Sequence, residues 1–426
     1  MSNYCQIFVT SCPDLLLCKS RNFVTVCAMQ NTTIAIVGSG PASLMAASQL
    51  VALGHSVEIF EAHHGPSRKL LIAGRSGLNI AHECTPTELV SHFDAPKTLL
   101  QNIFQEFSTA KWLKFVNDLG IETFVGSSHR YFVKGLKAAP LLKAWLKKLK
   151  SQGVVFHYQK QLTQFMVRGN EVTLTFNENQ NLNFSAALFA LGGGSWLDKK
   201  SPLSWPKLFE QKGIALTPIK AANAGFEVEW SAGFLKEAEG LPLKNILLKT
   251  TKNSYPGELM VTRYGLEGTA VYNLSKPQTV FLDLKPDLTA ESLLKKMQSH
   301  KEKLAPLRLA KKLLNLCPAS LALLFHHGAK SSDLKTFCTT LKHFPVTLKK
   351  QRGLEHAISS TGGVAFSEIH PSLMLKAYPG IFLAGEMLDW NAPTGGFLIQ
   401  GSVSQGFFAA QGLHSLLKAK RTAAKP

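Results

Sequence analysis

The sequence predicts an α/β fold in which a parallel sheet is assembled from two separate chain segments, with a second, antiparallel domain inserted between them. Three observations carry this. A strand–glycine turn–helix–strand unit opens at Thr33. Short alternating segments replace that pattern from about Trp205. A strand, a glycine-rich loop and a closing helical stretch then return after Ala357. The predicted boundaries are 31–204 and 346–426 for the two segments of the first domain, 205–287 for the inserted antiparallel β domain, and 288–345 for a basic helical subdomain. Residues 1–30 hold four of the seven cysteines and no element pattern. They are expected to be a disordered extension, or to follow an upstream start codon with Met29 as the natural beginning.

The opening unit is the most informative. Thr33–Val37 is an apolar strand, and Gly38 lets the chain turn sharply after it. Gly40 lets the backbone approach a pyrophosphate, followed by Pro41 and Ala42 at the start of a helix whose free N–H groups and positive dipole end face that anion. Glu61 ends the next strand, 21 residues beyond Gly40, where a carboxylate can accept both ribose hydroxyls of an adenosine. Ala62 follows it. The third position of the glycine pattern is Ser43, still small enough for helix-on-strand packing. Strand, turn, helix, second strand and acid agree, so the unit reads as a Rossmann-type dinucleotide site.

A loop rich in Gly, Arg and Lys spans 62–83. Residues 86–118 read as helical, with Leu99, Leu100, Ile103, Phe104, Phe107 and Trp112 at helical spacing. Ala138–Gln152 is a second helix with Leu141, Leu142, Trp145 and Leu149 on one face. Val154–His157, Gln161–Val167 and Glu171–Phe176 are short strands, and Ala186–Leu191 is a strand broken by Gly192, Gly193 and Gly194. Gly225–Trp230, Asn245–Thr251, Gly257–Thr262 and Thr279–Leu284 suggest a small antiparallel sheet or barrel. Residues 288–343 are lysine-rich helices interrupted by Pro306 and Pro318. Ile381–Ala384 is a strand and Phe397 opens the last helix.

Composition narrows the function classes. A chain of 426 residues is too long for one ordinary core. Its 45% hydrophobic and 18% charged residues describe a folded protein, and no apolar run approaches a membrane span. The seven cysteines form no C-x-x-C pair, which argues against a zinc knuckle or redox dithiol and fits a reducing cytoplasm. The adjacent pairs His63–His64 and His326–His327 do not suit one metal, so no metal site is expected. The formal charge of +19 is uneven: residues 291–352 carry thirteen Lys/Arg against three Asp/Glu, and Lys143, Lys147, Lys148 and Lys150 cluster on one helix. Such fields attract polyanions, although a solvated helix face produces the same pattern.

Three further segments identify the dinucleotide. Ser67 to Asn79 is a loop with Arg68, Lys69, Gly74 and Gly77 directly after the ribose-binding strand. Leu188 to Gly194 is a strand end without side-chain bulk. Gly380 to Asp389 ends a strand at Gly385-Glu386, and Gly395-Gly396 opens the long helix. Reduced flavin carries negative charge near N1 and O2, which a helix N-terminus stabilises; a nicotinamide has no such need. Together these segments favour FAD.

At these residues the chain resembles the bacterial HI0933-like, BaiN-like family of NAD(P)/FAD-dependent oxidoreductases, with its aminoacetone-oxidase-like members, over about residues 31–415. Its most specific marks are Arg68-Lys69-Leu70, the Gly192–Gly194 triplet, Gly362-Gly363-Val364, and Gly385-Glu386 through Gly395-Gly396. The resemblance implies a flavin domain of the fumarate-reductase and glutathione-reductase type, interrupted by a β-barrel-like domain with a helical subdomain. It implies FAD contacts from Gly38, Gly40, Pro41 and Ala42 at the pyrophosphate, and from Glu61 and Ala62 at the ribose with Arg68 and Lys69 nearby. Gly74 and Asn79 would approach the flavin, and Gly192 with Gly193 the adenine side. Gly385, Glu386, Asp389, Gly395, Gly396 and Phe397 would line the ribityl chain and ring. Arg263 and Tyr264 of the inserted domain are the substrate-side candidates. Where many members carry Gly-Gly-Arg-Cys-Asn, this chain has Arg75-Ser76-Gly77-Leu78-Asn79, which marks a separate sub-branch.

The function expected is hydride transfer between flavin and an unidentified small molecule. There is no second glycine-rich nucleotide motif, so NAD(P)H, if it acts, binds transiently in the cleft between domains, and oxygen is an equally open acceptor. The alternative is RNA-directed uridine reduction, with 291–352 holding the polyanion. Leu78 counts against it, because that reaction needs an acid and relatives place a cysteine there.

Overall fold

The computed structural model describes residues 33–423, apart from 75–76, 127, 178, 198–202 and 329–331, together with the backbone of 15–20 and 23–28. Within the N-terminal stretch read as an extension, Leu15–Ser20 and Phe23–Ala28 pair as an antiparallel hairpin; its other residues lie outside the described ones.

A five-stranded parallel sheet holds the chain's two segments together. Its order is Ile381–Leu383, Ala186–Phe189, Thr33–Val37, Ser56–Glu61 and Val155–Tyr158. The central strand is buried on both faces, as an apolar run between layers must be. Helix Pro41–Ala52 crosses the sheet and packs against the 27-residue helix Phe397–Ala423. Their backbones approach closely because Gly406 has no side chain: a Cβ there would lie 2.1 Å from the Ala42 carbonyl oxygen. The strands Leu162–Arg168, Glu171–Phe176 and Asn181–Phe184 form an antiparallel sheet whose Phe176 stacks on Phe60.

The segment 86–118, expected as one helical stretch, is three helices: Pro86–Ser91, Lys97–Glu106 and Thr109–Asp118. Each start has a local cause. Thr85 and Glu88 form a reciprocal capping box, Pro96 precedes the second helix, and Ser108 caps the third. The loop expected at 62–83 contains a short helix, Arg68–Ala73, and the strand Asn79–His82. That strand pairs with Arg130–Val133, which also pairs with Thr123–Val125.

The inserted part has its own apolar core. Six antiparallel strands run in the order Phe226–Glu227, Gly265–Glu267, Ser254–Thr262, Pro242–Lys249, Gln278–Asp283 and Phe344–Leu348. The two ends of this row meet. Glu227 N donates to Lys350 O at 2.8 Å, Lys349 N donates to Glu227 O at 2.8 Å, and Arg352 N donates to Gly225 O at 2.8 Å. The sheet therefore closes into a barrel, which removes its exposed edges. Helices Ala290–Gln298, Pro306–Leu313, Pro318–His327 and Leu334–Lys342 share its core. Two antiparallel strands, Leu216–Ala222 and Ser359–Val364, carry the chain into and out of the barrel side by side.

Candidate functional site

The glycine turn is built where the sequence places it. Gly38 has φ +99°, and a Cβ on it would meet the Ala190 carbonyl oxygen at 2.3 Å. No other residue type fits both constraints. Its N–H donates to Phe60 O at 2.8 Å, tying the turn to the neighbouring strand. Gly40 is different. It has ordinary extended geometry, and its missing Cβ faces open space with nothing within 4 Å. It is the N-cap of helix Pro41–Ala52, and no side chain caps that end. The first-turn N–H groups are thus left for an anion in front of them.

Glu61, 8% exposed, closes the far side of this turn. Ser39 Oγ donates to one carboxylate oxygen, and His63 N donates to the other at 2.9 Å. Ser67 N in turn donates to Ser39 Oγ at 3.1 Å, and Ser67 Oγ to Ser39 O at 2.5 Å. Two serines that sequence reasoning left unassigned therefore hold the acid in place. The carboxylate keeps lone pairs free to accept further hydroxyl donors.

Opposite, Lys69 Nζ donates to Gly193 O at 2.6 Å, and Arg68 Nη2 donates to Trp196 O at 2.8 Å. Burial holds the Lys69 ammonium below its ordinary range, with Glu386 working the other way. Burial likewise pushes the Glu386 carboxyl up, opposed by Lys69. Gly385, at φ +80°, donates its N–H to Gln405 Oε1 at 2.9 Å and accepts from Trp390 Nε1 at 2.8 Å. Gly193 lies where a Cβ would collide with Ser360 Oγ at 2.3 Å.

One cavity joins these groups. Of the eighteen cofactor candidates, Gly38, Gly40, Pro41, Ala42, Glu61, Ala62, Arg68, Lys69, Gly192, Gly193, Gly385 and Glu386 line it. A basic groove beside it is walled by His63, His64, Arg68, Lys143, Lys147 and Lys150 over an apolar floor.

The other six candidates lie outside that lining. Asn79, Gly395, Gly396 and Phe397 belong to a second cluster. The Asn79–His82 strand passes so close to Gly396 that a Cβ would sit 2.5 Å from the Ala81 backbone. Phe397 stacks on His82 at 4.8 Å between ring centres and packs against His92 at 4.5 Å. The Arg130 guanidinium lies against Gly395, where a Cβ would be 3.1 Å from Nε. Gly74 packs against Ala138, and Asp389 accepts from Thr217 Oγ1 at 2.6 Å at the barrel's entry strand.

The substrate-side candidates are placed differently from each other. Arg263 has a side chain 82% exposed and pairs with Glu239 at 3.3 Å. Tyr264 donates to Glu267 and lies under Arg352, whose guanidinium is 4.4 Å from its ring centre. Burial and Glu267 push the Tyr264 phenol far above its ordinary range, so it stays protonated. Among the described residues no three His, Cys, Asp or Glu side chains gather as metal ligands, and no helix is long and apolar enough to cross a membrane.

Comparisons with known proteins give the family. The model of the HI0933-like protein Rossmann domain matches residues 32–412. A 3-dehydro-bile acid delta(4,6)-reductase of Clostridium scindens is 23% identical over 416 residues, covering 89% of this chain and 98% of the relative. A ribosomal RNA dihydrouridine synthase of Haemophilus influenzae is 23% identical over 399 residues, covering 88% and 96%. Among solved structures, the 3-ketosteroid-delta4-(5alpha)-dehydrogenase of Rhodococcus jostii RHA1 superposes with a TM-score of 0.48 at 12% identity, covering 90% of this chain and 96% of that one. The chain belongs to the HI0933-like Rossmann-domain family.

Proposed function

We propose that the chain binds FAD along the cavity between Gly40 and Glu386 and exchanges a hydride between the flavin and a small-molecule substrate. The observation that carries this is the pairing of an uncapped helix start at Gly40 with a held carboxylate at Glu61, across one cavity. The helix start takes the pyrophosphate, and Glu61 accepts the adenosine ribose hydroxyls. Lys69 and Arg68 balance the phosphate charge. Gly395 and Gly396 bring the N-terminus of the Phe397–Ala423 helix to the ring, where its positive end favours the charge that reduction adds. When bound, FAD supplies the hydride chemistry; the chain supplies position, potential and exclusion of water. NAD(P)H as a transient donor, or oxygen as acceptor, completes the cycle.

A small-molecule substrate suits the reductase name of the Clostridium scindens relative. The uridine-reduction reading draws on the ribosomal RNA names of two relatives. Leu78, 1% exposed, offers no proton at the position where a cysteine acid is expected. On heparin the proposal predicts elution at low salt, whereas a steep salt dependence would favour the RNA reading.

Titrating flavin-stripped protein tests the cofactor claim. FAD is expected to bind with quenching of its fluorescence, and FMN, which lacks the adenosine monophosphate half and hence the pyrophosphate, is expected not to bind. Equal binding of both would overturn the assignment of Gly40 and Glu61.

A further inference from the structure

Arg130 is not explained by the cofactor cavity. It starts the strand Arg130–Val133, and its carbonyl accepts from Gly126 N at 2.9 Å, which fixes the backbone. Its Nε is buried and finds no acceptor among the described residues. Leaving a buried donor unpaired is costly, and more so when the group is charged. Burial also weighs against its charge, while Glu258 of the barrel strand Ser254–Thr262 favours it. A guanidinium does not escape this by losing its proton, so it needs an oxygen ligand.

Its position says where that ligand comes from. Gly395, at φ +111°, leaves room for the Arg130 side chain because it has no Cβ. Arg130 is the cross-strand partner of His82, which stacks on Phe397 at the start of the long helix. Burial holds His82 below its ordinary value, against its bond to the Glu83 carbonyl, and Arg130 adds to the lowering. This cluster thus combines a guanidinium with a buried, unpaired Nε, a histidine and the turn assigned to the flavin ring. Glu258 brings the barrel wall into its field.

We propose that Arg130 anchors a carboxylate of the substrate at the junction of the nucleotide-binding domain and the barrel, with His82 beside it. The proposal rests on the FAD reading for the location of the ring, and on the unpaired, buried Nε of Arg130 for the ligand. A planar fork of N–H donors matches a carboxylate in two parallel bonds, which a lysine at the same place does not reproduce.

Benzoate is the probe. Its effect on the melting midpoint is measured for flavin-free and FAD-loaded protein, in wild type, Arg130→Met and Arg130→Lys. Wild type is expected to be stabilised saturably in both forms. Arg130→Met is expected to raise the half-saturating concentration tenfold or more, with Arg130→Lys between the two and the FAD content of both variants unchanged. If the Met variant does not fold, a several-fold weakening in the Lys variant carries the test. A wild type that ignores benzoate, a variant that responds like wild type, or loss of FAD from the folded variants overturns the anchor. Failure of wild type to take up FAD overturns the cofactor reading instead, while the flavin-free titration still reports on Arg130.

Discussion

Ser39 Oγ donates a hydrogen bond to the Glu61 carboxylate, joining the middle of the glycine turn to the acid at the end of the neighbouring strand. The turn and the acid are therefore one unit. Ser67, which starts the helix carrying Arg68 and Lys69, is bonded to Ser39 and extends it. Glu61→Gln replaces acceptor lone pairs with donors that face Ser39 or His63. Hydrogen bonds to a charged group contribute about 1.5–3 kcal/mol, so FAD affinity is expected to fall about 10–100-fold, measured by fluorescence titration of stripped protein.

Two glycines in the same turn should fail in opposite ways. Gly38→Ala combines a positive φ with a 2.3 Å collision against the Ala190 carbonyl, and is expected to cost about 2–4 kcal/mol of stability in denaturant unfolding. Gly40→Ala meets nothing within 4 Å in the chain itself. It should leave unfolding unchanged while weakening FAD binding, because its methyl group occupies space meant for the pyrophosphate. A destabilised Gly40→Ala with normal FAD affinity would contradict this division.

Acid should loosen the packing between the two long helices' neighbourhoods at His55. Its Nε2 is 2.9 Å from His414 Nδ1, and burial, His414 and Arg421 hold its pKa below the ordinary 6.5. The unfolded chain takes up that proton more readily than the folded one. Stability is then full above about pH 6.5 and is lost as pH falls toward the folded-state value. The melting midpoint should drop between pH 7.5 and pH 5.5, and His55→Leu should show a smaller drop over the same interval. An unaltered pH slope in the variant would assign the loss to other groups.

Legibility in the sequence followed locality. The strand Thr33–Val37 and its turn are where the sequence predicts them, because strand, glycine and helix start are set by adjacent residues. The return of the sheet at Ile381–Leu383 was also legible, since an apolar strand ending in glycine is a local signal. A sheet or barrel was expected there, but the pairing that closes it was not legible: it joins Gly225–Glu227 to Lys349–Arg352, more than a hundred residues away, and neither segment carries a pattern that names the other. The same holds for the second cluster. His82 and Arg130 meet only through strand register, so nothing around either residue marks them as partners. Ser39 could have been noticed, as a hydroxyl between two turn glycines points toward whatever acid follows.

The most direct test of the account is the visible spectrum of the purified protein. Bands of bound flavin are expected, bleaching under anaerobic addition of NADH or NADPH and returning when air is admitted. A colourless protein that takes up no added FAD would contradict it.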